Sequence, residues 1–117
     1  MRQNCSKVVI ENFFEPCLLY LLLQKPSYGY EIKTNLDERC ACQVNIGNLY
    51  RNLARLQKNG FIQKKKEGSE KGPERVIYQI TTKGEMLLKE WIDGLEEQKM
   101  TINKLIINYK KHYATRK

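Results

Sequence analysis

Histidine occurs once in this 117-residue chain, at His112, and tryptophan once, at Trp91. With a single histidine beside a basic C-terminus, no nucleophile, base and orienting third group can be named, so an enzyme is the least expected class and no catalytic residue is assigned. Long apolar runs are missing too. The longest, Cys17 to Leu23, has seven residues, against the ~18 of a membrane span. "MRQNCSKVVIENFF" begins basic but has neither a long apolar region nor a small-residue cleavage site behind it, so no signal peptide is expected. The expected compartment is the cytoplasm. Acidic residues are in deficit, 13 against 21 Lys and Arg, for a formal charge of +8. A small chain this basic is suited to a polyanion.

Four cysteines are present, Cys5, Cys17, Cys40 and Cys42. They show no secreted-type framework, and Cys40 and Cys42 form C-x-C rather than the paired C-x2-C of zinc sites, so no metal or other cofactor is assigned. Cys17, inside an apolar segment, reads as a small buried hydrophobe. A thiol or metal input at Cys40 and Cys42 stays open as an alternative.

The length suits one core with appendages. A first helix is expected through "CLLYLLLQ", capped by Asn12 or Glu15 with Pro16 in its first turn. It is apolar nearly all round, which predicts cover on two sides, from its own domain and from a partner chain meeting Leu18 and Leu22. Ser27 is expected to cap a second helix with Ile32 and Leu36 inward and Lys33 and Glu38 outward. In the third helix, capped by Asn45, Ile46, Leu49, Leu53 and Leu56 trace one apolar stripe, while Asn48, Arg51, Asn52 and Arg55 fall on the other face. Asn59 and Gly60 end it.

"FIQKKKE" and "RVIYQI" read as two strands joined by the charged tip "GSEKGPE". Thr82 then caps a final helix, with Glu85 completing a capping box, of roughly 30 residues or about 45 Å. Leu88, Leu95, Ile102 and Tyr109 recur every seven residues, with Trp91, Leu105 and His112 between them and Gln98 as the polar interruption. This heptad pattern predicts a homodimer seam. The fold class expected is mainly α with a small β-hairpin: a winged helix-turn-helix over residues 1–81 and a dimerisation helix with basic tail over 82–117.

A helix-turn-helix whose second helix turns Asn and Arg outward fits the DNA major groove, where Arg pairs with guanine and Asn with adenine. Lys64, Lys65, Lys66, Lys71 and Arg75 on the wing suit phosphates. A winged-helix module docking an acidic protein is the alternative reading of the same basic face. Trp91, with Phe13, Phe14 and Tyr20 of a partner's first helix, could frame a flat apolar slot for a ligand.

"FFEPCLLYLLL", "SYGYEI", "GNLYRNLARLQKNGFI" and "KGPERVIYQITTKGEMLL" together resemble, in order and spacing, the PadR family of winged-helix transcriptional regulators over about Asn12 to Trp91. The resemblance implies that Tyr50, with Tyr28 or Tyr30, lies close to DNA backbone and that the wing cations bracket the adjacent minor groove. It also implies a repressor that dimerises through its C-terminal helix and, in short-tailed members, binds a small aromatic or drug-like effector near the dimer interface. "ERCACQV" departs from the family pattern, which usually has a Gly-containing, cysteine-free segment there.

Overall fold

The computed structural model describes residues 13–39, 45–68 and 75–115. In chain order the elements are α1 (Phe14–Gln24), β1 (Ser27–Tyr28), α2 (Gly29–Arg39), α3 (Ile46–Lys58), β2 (Ile62–Glu67), β3 (Arg75–Ile80) and α4 (Thr82–Ala114). Cys40, Cys42 and Lys71, all singled out in the sequence, lie outside the described residues, as does Asn12.

The core is the meeting of three helices on the base of the sheet. Leu18, Leu19, Leu21 and Leu22 of α1, Ile32 and Leu36 of α2, and Leu49, Leu53 and Leu56 of α3 are buried together with Ile62, Tyr78 and Leu88. α2 and α3 each commit one stripe at i, i+4 or i, i+4, i+7 spacing, whereas α1 buries a broader face that includes the adjacent Leu18 and Leu19. Ile46, expected in the α3 stripe, is half exposed. It sits in the first turn, at the edge of the stripe, where the core has already ended.

The wing has three strands rather than the two expected, in the order β1-β3-β2, all antiparallel. Ser27, predicted to cap α2, is instead a strand residue paired with Tyr78. The Glu31 carboxylate takes over at the α2 start, accepting from the Tyr28 backbone N–H at 2.8 Å. β2 is an edge strand. Its Ile62 is buried while Gln63 through Glu67 are exposed, so the lysine run decorates a strand rooted at one end.

Helix ends also differ in detail from expectation. α1 follows Phe13, which makes no side-chain cap, and Glu15 falls inside the first turn. α3 starts as predicted: the Asn45 side chain accepts from the N–H groups of Gly47 and Asn48. Gly60, at φ 83°, turns the chain from α3 into the wing, a conformation that only glycine adopts cheaply. α4 is capped by Thr81, one residue before the expected Thr82, whose hydroxyl accepts from Gly84 N–H at 3.1 Å. The same hydroxyl donates to the Gly60 carbonyl at 2.6 Å, tying the α4 start to the α3 turn. Gly84 is needed by packing, since a Cβ there would stand 2.0 Å from the Phe61 carbonyl oxygen.

α4 runs for 33 residues, about 50 Å at 1.5 Å per residue, in a molecule 73 Å in its longest dimension. Its N-terminal part lies on α1 and the sheet. Beyond Leu95 every described residue of α4 is exposed. Leu18, Leu22 and Leu88, expected at the dimer seam, are buried in the chain's own core. The heptad spacing was right for the helix, but its first repeat is used up by the domain that α4 rests on.

Candidate nucleic-acid interface

α3 is the element with the clearest division of labour. Its three buried leucines hold one side against the core, and the opposite side carries Asn48, Arg51, Asn52 and Arg55, all on the outer surface with Asn52 partly covered. No acidic residue lies within the helix. The four polar side chains form a ladder. Arg51 Nη2 donates to the Asn48 side-chain oxygen, Asn52 Nδ2 to the Asn48 carbonyl at 2.8 Å, and Arg55 Nη2 to Asn52 Oδ1 at 2.9 Å. Such a row presents alternating donors and acceptors that can be exchanged for base edges.

Arg55 is less available than the sequence implied. Its Nη2 also donates to Glu15 Oε1 at 2.7 Å, so the guanidinium is drawn toward α1. The residue sits on the predicted face, but its charge is shared with the core side. Sequence spacing could not reveal this, because the acceptor lies 40 positions away.

Beside α3 stands a tyrosine cluster. Tyr28, Gly29, Tyr30, Tyr50, Arg75, Val76 and Tyr78 line one hollow between the α2 start, α3 and β3. The Tyr28 and Tyr30 rings stack with centroids 5.7 Å apart and planes 4° from parallel. Arg75 lies over the Tyr28 ring at 5.7 Å, within cation–π range. Tyr50 reaches so close to the α2 start that a Cβ on Gly29 would fall 2.3 Å from its hydroxyl. Tyr28 donates its hydroxyl to Glu67 Oε1 at 2.6 Å, and that bond, followed by desolvation, raises its pKa above the ordinary 10.0. Burial, with a smaller contribution from Tyr50, raises that of Tyr78. Tyr28 is therefore a neutral hydroxyl bound to the wing, and Tyr30 and Tyr50 are the rings that face out, 63 % and 44 % exposed.

The wing supplies the cations. Lys64, Lys65 and Lys66 pair across the ladder with Tyr78, Ile77 and Val76, and Glu67 with Arg75. All four basic residues are exposed, the three lysines on the edge strand β2 and Arg75 on the central strand β3, and β2 packs against α3. Lys33, on α2, forms an i,i+4 ion pair with Asp37 and is only partly exposed, so its charge is offset before any partner arrives. Among the described residues no group of acidic, histidine or cysteine side chains could hold a metal ion, and no helix is long and apolar enough to cross a membrane.

A second feature lies away from this face. Leu87, Glu90, Trp91, Gly94, Leu95 and Gln98 line a groove along α4, followed along the same helix by another bounded by Glu97, Gln98, Thr101 and Ile102. Trp91 Nε1 donates to Glu15 Oε2 at 2.7 Å, which fixes the indole edge-on to α1. Phe13, just before α1, and Tyr20 on α1, expected to close a slot with Trp91 from a partner chain, are exposed, and Phe14 is half-buried. Within one chain none of the three lines the Trp91 groove.

Residues 18–90, more than half of the chain, match the model of the transcriptional regulator PadR-like family. The chain belongs to the PadR-like family of transcriptional regulators. An uncharacterized protein of Lysinibacillus sphaericus is 31% identical over 94 residues, covering 75% of this chain and 86% of its own. A PadR-like transcriptional regulator from Bacillus cereus superimposes with a TM-score of 0.72 at 34% identity, over 89% of this chain and 97% of that one. A transcriptional regulator from Clostridium thermocellum does so at 0.76 and 33%, over 87% and 97%. Bacillus subtilis PadR, solved in complex with operator DNA, shares the fold at a TM-score of 0.62 and 23% identity. This chain covers 46% of that longer protein, and 68% of this chain is matched. PadR-like proteins are transcription regulators rather than enzymes, the class least expected from the sequence.

Proposed function

We propose that this PadR-like chain is a sequence-specific DNA-binding repressor that acts as a homodimer on a palindromic operator in the cytoplasm. The observation that carries this reading is the outward Asn48, Arg51 and Asn52 ladder of α3, on a helix packed against the strand β2 that bears the exposed lysines. α3 enters the major groove, where its Arg and Asn groups read base edges. Lys64, Lys65, Lys66 and Arg75 hold the flanking phosphates, and Tyr30 and Tyr50 lie against the backbone between them. The operator complex of Bacillus subtilis PadR supports the assignment of this fold to such a task.

Residues 1–81 read DNA and residues 82–117 join the protomers. A helix repeats every 3.6 residues, so Leu95, Ile102, Ile106, Tyr109 and Tyr113 fall on one stripe of α4, flanked by Leu105. Leu105 is 70 % exposed and Ile102, Ile106, Tyr109 and Tyr113 are exposed as well, more apolar surface than a lone helix leaves in water. A second copy of α4 covers it, and the exposed Phe13, Tyr20 and Leu23 of α1 continue the interface. A planar aromatic effector enters the Trp91 groove at this junction and relieves repression.

Titration of the purified dimer on its own promoter fragment and on random duplex of equal length tests the reading. The promoter is expected to bind about 10³-fold or more tightly at physiological salt. Equal affinity for both duplexes would remove the operator.

A further inference from the structure

Glu15 lies in the first turn of α1, is 8 % exposed, and touches both functional surfaces at once. Its Oε1 accepts from Arg55 Nη2 of α3 at 2.7 Å, and its Oε2 accepts from the indole Nε1–H of Trp91 in α4 at 2.7 Å. A buried carboxylate needs a hydrogen-bond donor at each oxygen to offset its lost hydration, and here each oxygen has its own. The two donors come from different elements, 36 positions apart in the sequence, since Arg55 is residue 55 and Trp91 residue 91. Arg55 stands at the end of the α3 polar ladder through Asn52. Trp91 is a wall of the α4 groove.

A fully exposed ion pair would tether little. Here the acceptor is buried, so displacing either donor leaves a carboxylate oxygen short of a partner, and the cost falls on the other two groups. A shift of the indole in its groove is thereby felt at the guanidinium, and the reverse. We propose that Glu15 is a positioning residue that sets the placement of the α3 reading face from α4, so that operator binding and the state of Trp91 are coupled through one carboxylate. Coupling of this kind is reciprocal. The proposal rests on the reading of α3 as the DNA-reading helix.

Trp91 is the only tryptophan, so its fluorescence reports the node directly. The full-length dimer is titrated with its promoter duplex and with random duplex, following both Trp91 emission and the anisotropy of labelled DNA. In the wild type Trp91 emission is expected to change along the same curve as promoter binding and to stay constant with random DNA. Glu15→Gln keeps the size and the acceptor for Trp91 but loses the charge that holds Arg55. It is expected to lose the Trp91 response and about tenfold in promoter affinity, with random-duplex affinity unchanged, because the latter depends on wing cations. Trp91→Phe, which keeps an aromatic side chain but removes the pyrrole ring with its N–H donor, supplies a second, independent break of the node. By anisotropy it is expected to weaken promoter binding severalfold and leave random binding alone. A Glu15→Gln dimer with wild-type promoter affinity and Trp91 response, or a Trp91→Phe dimer with wild-type promoter affinity, overturns the coupling. A wild-type dimer that shows no preference for its promoter overturns the DNA-reading assignment, and the coupling with it.

Discussion

Arg51 on α3 and Lys65 on β2 have different parts in the proposed DNA reading. Arg51 belongs to the α3 ladder, where a guanidinium can pair with a guanine edge. Arg51→Ala is expected to cost about 1–3 kcal/mol on the promoter duplex and little on random DNA, measured by titration at fixed salt. Lys65 is exposed on the edge strand β2, and the role proposed for it is charge. Lys65→Ala is expected to weaken both duplexes alike and to reduce the slope of log K against log salt by about one, which affinity series across salt concentrations will read. Residue identity and spacing placed both side chains correctly. They could not show that Arg55 shares its charge with Glu15, or that Tyr28 has given its hydroxyl to Glu67, because both acceptors lie about 40 positions away.

At the level of elements the helices were legible wherever an apolar stripe and a cap coincide. Asn45 caps α3, the leucine stripe faces in, and Gly60 ends the turn, each from local chemistry. The start of α4 was misplaced by one residue because two threonines stand together and only the fold decides which hydroxyl meets Gly84. Thr81→Ala is therefore expected to lower thermal stability by about 1 kcal/mol, whereas Thr82→Ala stays within about 0.5 kcal/mol of wild type; paired melting curves give the comparison. β1 was missed because two residues carry no alternation, and Ser27 has the look of a cap in either setting. Its strand exists because β3 supplies a partner edge.

For the whole molecule the far half of α4, exposed beyond Leu95, is the surface on which the proposed assembly depends. In the proposed dimer the stripe of leucine, isoleucine and tyrosine on α4 meets its own copy, and the joined protomers would set the spacing of the two α3 helices. Leu105→Arg, at the most exposed apolar position of that stretch, is expected to convert the proposed dimer to monomer in sedimentation equilibrium, with the wild type sedimenting as the dimer. Promoter affinity should fall with it, since each half-site then binds alone. Basic charge, the α3 pattern, the lysine strand and the heptad spacing were all determined by the sequence itself, because each is a matter of residue type at helical or strand period. Tertiary structure alone decided which heptads remain free, since Leu88 is spent on the core. It also decided that β1 completes the sheet and that one buried glutamate joins α1, α3 and α4, because those outcomes depend on groups far apart in the chain arriving within hydrogen-bonding distance.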